Sequence, residues 1–348
     1  MQDLSFFLGG NTYQGFYSLY EEYLKSNEGS RVWILKGGAG CGKSGFMRRV
    51  YDRVSSAGYM VHRILCSGDP SSLDGIHIPA LGVILLDGTA PHVLEPPFVG
   101  DRGFYLNMSR FYRPGVPDLR ILEEAYGKHY NRAYRWLAAA GHAEASLELP
   151  AEAEKIIRRK AAALIARELR TKGRNPQKPM CVFVDAFCCE GMLTLHETQA
   201  KMAQHQIGLC GICGAEHVFL SSAAEAALAR GYEIVISPSP LQPERIAHLF
   251  IPECDLGIGI GKGDRYIHLD KIVYNHADAE FSELVRETDS MRTALLSRAH
   301  KELALARHDH DNLEKAVNPY VDFSGVYEEA EAFAGKLLND APPESMSV

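Results

Sequence analysis

No stretch of the 348-residue chain is apolar for long enough to span a membrane, and Met1 to Gly10 has no positive start and only a short apolar run. Neither a secretory signal nor a membrane segment is expected. Basic residues are not in excess: 37 Lys and Arg face 44 Asp and Glu, a formal net charge of −7. That balance excludes a general nucleic-acid surface, whose footprint is a basic patch. Eight scattered cysteines contain a single C-x-x-C pair, Cys210 to Cys213, and a zinc framework needs a second. Without a signal the thiols are expected to be reduced, in the cytoplasm. His196-Glu197 lacks the histidine three residues on that a zinc-protease helix requires. His308 and His310 stand two apart on a predicted helix, where they do not share a face. What remains, at 46% apolar and 23% charged, is a globular chain long enough for two domains.

Residues 37 to 44 read Gly-Gly-Ala-Gly-Cys-Gly-Lys-Ser, a full G-x-x-x-x-G-K-[ST] phosphate loop. The apolar run Val32 to Leu35 precedes it, and a proline-free stretch from Gly45 to Ser56 follows, so the motif sits between a predicted strand and a predicted helix. The expected nucleotide-binding residues are Gly37, Gly38, Ala39, Gly40, Cys41, Gly42, Lys43, Ser44 and Gly45. Glycines let backbone N–H groups converge on an anion, and the helix N-terminus adds positive potential. Lys43 is expected on the β- and γ-phosphates of ATP, and Ser44 on Mg²⁺.

The chain also repeats itself. Gly58-Tyr59 recurs as Gly231-Tyr232, Pro70 as Pro243 and Ile78-Pro79 as Ile251-Pro252, all at a spacing of 173 residues. Upstream the spacing is 176 (Phe7 and Phe183, Gly15 and Gly191). Downstream it is 166, pairing Leu137, Ala140 and His142 with Leu303, Ala306 and His308. Each copy alternates strands with helices, which predicts a mostly parallel sheet covered on both faces, then a helical extension. The expected division is residues 1–175, 180–338 and a tail, 339–348, with the linker at Lys172 to Pro179. The fold class is thus α/β, with two tandem P-loop NTPase-like sheets.

Comparing the copies isolates the chemistry. At the common spacing Lys43 meets Glu216, Ser44 meets His217 and Gly42 meets Ala215. Asp87 ends the apolar strand Val83 to Leu86, where a carboxylate supporting Mg²⁺ belongs, and its counterpart is Ile260. Lys43, Ser44 and Asp87 are therefore expected to serve a nucleotide in the first copy only. Asp87-Gly also reads as a turn starter. Asp69, Asp74, Thr89 and His92 fall in loops expected to line the cleft, and Arg132 and Arg135 are candidate contacts to a γ-phosphate. No glutamate follows Asp87, which argues for slow turnover.

The runs Gly9-Gly-Asn-Thr12, Leu35 to Ser44, Ser72-Leu-Asp-Gly75 and Leu86-Asp-Gly-Thr-Ala-Pro-His92 resemble a bacterial family described as ATPases or nucleotide kinases with two tandem P-loop domains. The resemblance covers nearly the whole chain and implies ATP binding. That family's second domain usually has its own phosphate loop, and this chain has Cys210-Gly-Ile-Cys-Gly-Ala-Glu-His217 there instead. Three functions are open: a slow or partner-stimulated ATPase, a kinase for a small-molecule or nucleotide acceptor, and a non-catalytic switch acting on a protein partner.

Overall fold

The computed structural model describes residues 3–90, 93–145, 147–176 and 178–340. The first repeat contains β1 (Ser5–Phe7), β2 (Gly9–Thr12), β3 (Gly15–Ser18), α1 (Tyr20–Ser26), β4 (Arg31–Lys36) and α2 (Lys43–Ser56). It continues through β5 (His62–Leu65), β6 (Leu73–Ile78), β7 (Val83–Asp87), β8 (Gly103–Asn107), α3 (Arg120–Ala145) and α4 (Ala151–Glu168). The second contains β9 (Met180–Cys181), β10 (Asp185–Cys188), β11 (Gly191–Thr194), α5 (His196–Met202), β12 (His205–Cys210) and α6 (Ala215–Ala229). Then follow β13 (Val235–Pro238), β14 (Ile246–Ile251), β15 (Leu256–Ile260), β16 (Arg265–His268), α7 (Leu269–Tyr274), α8 (Ala279–Val317) and α9 (Phe323–Asn339).

The protein is α/β, with two six-stranded mixed sheets flanked by helices. Their strand orders are β1-β5-β6-β7-β4-β8 and β9-β13-β14-β15-β12-β16, the same order in both repeats. Five strands of each run one way, and β6 or β14 runs against them. Those reversed strands lie where the sequence suggests only a polar loop. Leu73-Asp-Gly-Ile-His-Ile78 has a charge and a glycine inside it, yet all six residues are buried. Gly75 is required there, since a Cβ would lie 2.7 Å from the Leu85 carbonyl oxygen. The anticipated strand from Cys181 to Ala186 is broken: β9 ends at Cys181, and Asp185 opens a hairpin of β10 with β11.

By internal packing the chain forms two units that are not consecutive halves. One comprises residues 1–9, 27–131 and 301–348, and the other 10–26 and 132–300. In the first, α9 lies on α2, and its Val326, Ala330, Ala334 and Leu337 join a core with Phe46, Met47, Val50 and Val54. In the second, α4 lies on α6, with Ile157, Ala161, Leu164 and Ile165 against Phe219, Leu220 and Ala223. Each sheet is therefore covered by the last helix of the other repeat. The segment from Lys172, expected as a linker, is held inside the second unit: Lys172 N–H donates to Arg230 O, and Lys172 and Arg174 both pair with Glu253. Among the described residues no helix is long and apolar enough to cross a membrane.

Candidate nucleotide site

β4 runs beside β7, with Leu35 opposite Asp87, so the residues after Lys36 start next to the end of β7. Gly37 packs too closely for any side chain: a Cβ would lie 2.6 Å from Cys41 Sγ and 3.1 Å from Met108 Cβ. Gly40 and Gly42 have φ of +71° and +89°, a left-handed backbone that favours glycine. They curl the loop so that α2 begins at Lys43. Glu314, Val317 and Asn318 pack on Gly40, while Phe323 and Val326 pack on Gly42.

Lys43 is buried at 8% exposure, an unusual place for an ammonium. It donates to the carbonyls of Gly37 and Gly38, both at 2.8 Å, and lies 3.6 Å from Asp87 Oδ2. Asp87 Oδ1 accepts from the Thr89 amide at 2.8 Å and the Thr89 hydroxyl at 2.5 Å. One oxygen thus fixes the turn, as a turn starter does, and the other faces the lysine. Burial pushes the Asp87 carboxyl above its ordinary value, against the opposing pull of Lys43 and the Thr89 hydrogen bonds. Ser44 Oγ accepts from Leu73 N–H at 3.0 Å and keeps its own proton and a second lone pair.

Of the surrounding candidates, Thr89 is joined to Asp87 as described. Asp74 is buried at 5% exposure and hydrogen-bonds the Cys66 thiol. Asp69 Oδ1 accepts from the Ser71 amide and hydroxyl, while Oδ2 pairs with Arg307. His92 lies outside the described residues. Arg132 and Arg135 belong to the second unit, whereas the phosphate loop is in the first. Two residues not foreseen from sequence engage the loop or a candidate residue beyond it. Tyr112 donates to the Ala39 carbonyl at 3.4 Å, and Arg307 holds Asp69. Their distance along the chain left no signal. His310, Asp311 and Glu314 bring ligand atoms within 4.8 Å of one another, but Arg307 already pairs with Asp311 at 2.9 Å.

The equivalent place in the second unit is built differently. Buried Phe46, Met47, Val50 and Val54 correspond to Phe219, Leu220, Ala223 and Ala227, which keeps the spacing of 173 and sets Lys43 against Glu216. Ile246 N–H donates to His217 Nδ1 at 3.0 Å, the counterpart of Leu73 to Ser44. The connection from β12 to α6 is residues 211–214, shorter than residues 37–42. Glu216 folds back over it: a Cβ at Gly211 would lie 2.5 Å from the Glu216 carboxyl carbon. Burial raises this carboxyl above its ordinary value. An acidic side chain of the protein itself therefore lies over the loop of the second copy.

A cavity of about 440 Å³ opens in the second unit at the starts of β12 and β15, lined among others by Glu168, His205, Asp264 and Arg265. It is at the opposite end of β12 from the loop, and its charged groups are paired: Arg265 with Glu168 at 2.7 Å, and Asp264 with the Gln206 amide at 2.9 Å. Compared with models of known families, with curated proteins and with solved structures, the chain matches none.

Proposed function

We propose that the first unit binds Mg–ATP through residues 37–45, and that the chain is a P-loop NTPase with slow or partner-stimulated hydrolysis. One observation carries the reading. In a loop of the required sequence, the buried Lys43 ammonium meets the Asp87 carboxylate at the carboxyl ends of β4 and β7, with Ser44 next in the chain. Ligands of open parallel sheets collect at that end. The bonds of Lys43 to its own loop carbonyls are ones a polyphosphate can replace, because the ammonium prefers an anionic partner.

The donor set fits magnesium. The Ser44 hydroxyl and Asp87 carboxylate are hard oxygens, and no direct hydrogen bond from Lys43 closes Asp87 Oδ2. Mg²⁺ bound there supplies charge neutralisation for the transferring phosphoryl group. Thr89 fixes the orientation of Asp87, and Lys43 holds positive charge where negative charge builds. Gly88, not a glutamate, follows Asp87, which supports slow turnover.

The kinase reading needs Asp69, Asp74 or His92 to orient an acceptor. In the nucleotide-free protein Asp69 is engaged by Arg307 and Ser71, and Asp74 is buried, so neither stands open to an acceptor there, and hydrolysis or a nucleotide-controlled switch is the simpler reading. The resemblance to tandem P-loop ATPases agrees with this reading, as does a cytoplasmic place for eight free thiols. Calorimetric titration of Mg–ATP tests it. Lys43→Ala removes a charge-assisted contact worth about 1.5–3 kcal/mol, so affinity falls about ten- to a hundredfold. Equal affinity in parent and variant refutes the site.

A further inference from the structure

Arg307 lies on α8 in the first unit, at the centre of a small charged array. One guanidinium nitrogen pairs with Asp69 Oδ2 and the other with Asp311 Oδ1 at 2.9 Å. Its position is tied to the phosphate loop by two routes along the chain. Asp69 belongs to the β5–β6 connection, which runs into Leu73, and Leu73 N–H is bonded to Ser44. Glu314 follows Arg307 by seven residues, about 10 Å along a helix and on the same stripe, and its Cα packs on Gly40. The side chain keeps 28% exposure, so it is not locked in a core.

The second repeat supplies an independent comparison. Buried Ala133, Leu137 and Ala140 of α3 correspond to buried Ala299, Leu303 and Ala306 of α8, which sets Gly141 against Arg307. The β5–β6 and β13–β14 connections are equally long, which sets Gln242 against Asp69. No side chain fits at Gly141, where a Cβ would lie 2.6 Å from the Tyr13 ring. The second unit still straps the same two elements together, through Glu144 and Arg245 at 2.8 Å, but with the cation on the connection and the acid on the helix. Packing therefore accepts either polarity. The helix-borne arginine is found only in the unit that also has Lys43, Ser44 and Asp87.

We infer that Arg307 is the residue that reads the γ-phosphate: Asp69 holds it in the nucleotide-free protein, and a bound triphosphate takes it over. The inference rests on the nucleotide reading of residues 37–45 and deepens it. A triphosphate seated in the loop offers more negative charge than one carboxylate, and a guanidinium fork fits phosphate oxygens with two parallel hydrogen bonds. A diphosphate lacks the group that would compete with Asp69. The site then distinguishes ATP from ADP by an exchange of ion-pair partners.

The test is titration of the full chain with Mg–ATP and Mg–ADP. Arg307→Ala should lower ATP affinity about ten- to a hundredfold and leave ADP within about twofold. Arg307→Lys should recover part of the loss. Asp69→Asn removes the competing carboxylate and should raise ATP affinity relative to ADP. Equal shifts for both nucleotides, or none, overturn the inference while the loop assignment stands. Should Arg307→Ala fail to fold, Asp69→Asn decides, since an unchanged ATP-to-ADP ratio there overturns it as well. A parent that binds neither nucleotide overturns the loop assignment, and this inference with it.

Discussion

Lys43 Nζ and Asp87 Oδ2 lie 3.6 Å apart, near enough to attract and too far for a direct hydrogen bond. Asp87→Asn removes that charge but keeps an acceptor for Thr89. Phosphate release should fall by about an order of magnitude or more, because the carboxylate is lost where phosphoryl charge must be offset. The melting temperature should change little. A variant as active as the parent removes Asp87 from the site.

Nucleotide stoichiometry should be one per chain. The Glu216 side chain already lies against Gly211 in the second loop, and it stands at the position that Lys43 holds in the first. Calorimetry with excess Mg–ATP analogue should give a single binding event, and Lys43→Ala should weaken all of it. A second polyphosphate bound between Cys210 and His217 contradicts this.

His62 and His77 pair across β5 and β6, with ring centroids 5.9 Å apart. Burial lowers their pKa values to about 4 and about 3; the His62 ring further disfavours charging of His77, while Asp3 partly opposes the shift at His62. The unfolded chain takes up protons below about pH 6.5, while the folded chain does not. Stability is therefore intact above pH 6.5 and is lost as pH falls toward 4, by about 2 kcal/mol for each ring at pH 5. The second repeat has Val235 paired with Phe250 at this place. His77→Phe should remove about half of the loss between pH 7 and pH 5 in urea unfolding. An unchanged pH slope sinks the assignment.

In the second unit His248 Nε2 and Asp185 Oδ2 are 2.6 Å apart and buried, and Asp185 Oδ1 has no hydrogen-bond partner. His248→Ala leaves a carboxylate buried alone, at a cost of about 3–5 kcal/mol. Adding Asp185→Ala should cost less than the sum of the two single changes, since the stranded charge goes with it. Denaturant midpoints of the four proteins measure this, and strict additivity argues against a coupled pair.

The loop, the duplication and the loss of Lys43, Ser44 and Asp87 from one copy were legible because each is carried by residue type at fixed spacing. The core-facing residues of α2 and α6 and the paired bonds at Leu73 and Ile246 agree with the spacing read from sequence. β6 and β14 were not legible, because strands buried on both faces need not alternate, and Asp74 and Gly75 imitate a turn. Arg307 was hidden for another reason. Its partner Asp69 is far away in sequence, and a lone arginine on a charged helix looks like any solvated residue. The destination of α9 was equally unreadable. Val326, Ala330, Ala334 and Leu337 mark an apolar face but do not name the sheet it covers.

That destination has a cost in time. A ribosome completes β8 at Asn107 and does not reach α9 until Phe323. For the whole interval the α2 face of the first sheet lacks its own cover, and the residues that pack on Gly40 and Gly42 do not yet exist. Meanwhile α4, the helix that plays the same part in the other unit, is made long before α9. Contacts this distant in sequence form slowly and leave apolar surface open to misassembly in the meantime. The glycine-rich loop at residues 37–42 is therefore among the first motifs to be made and among the last to be finished.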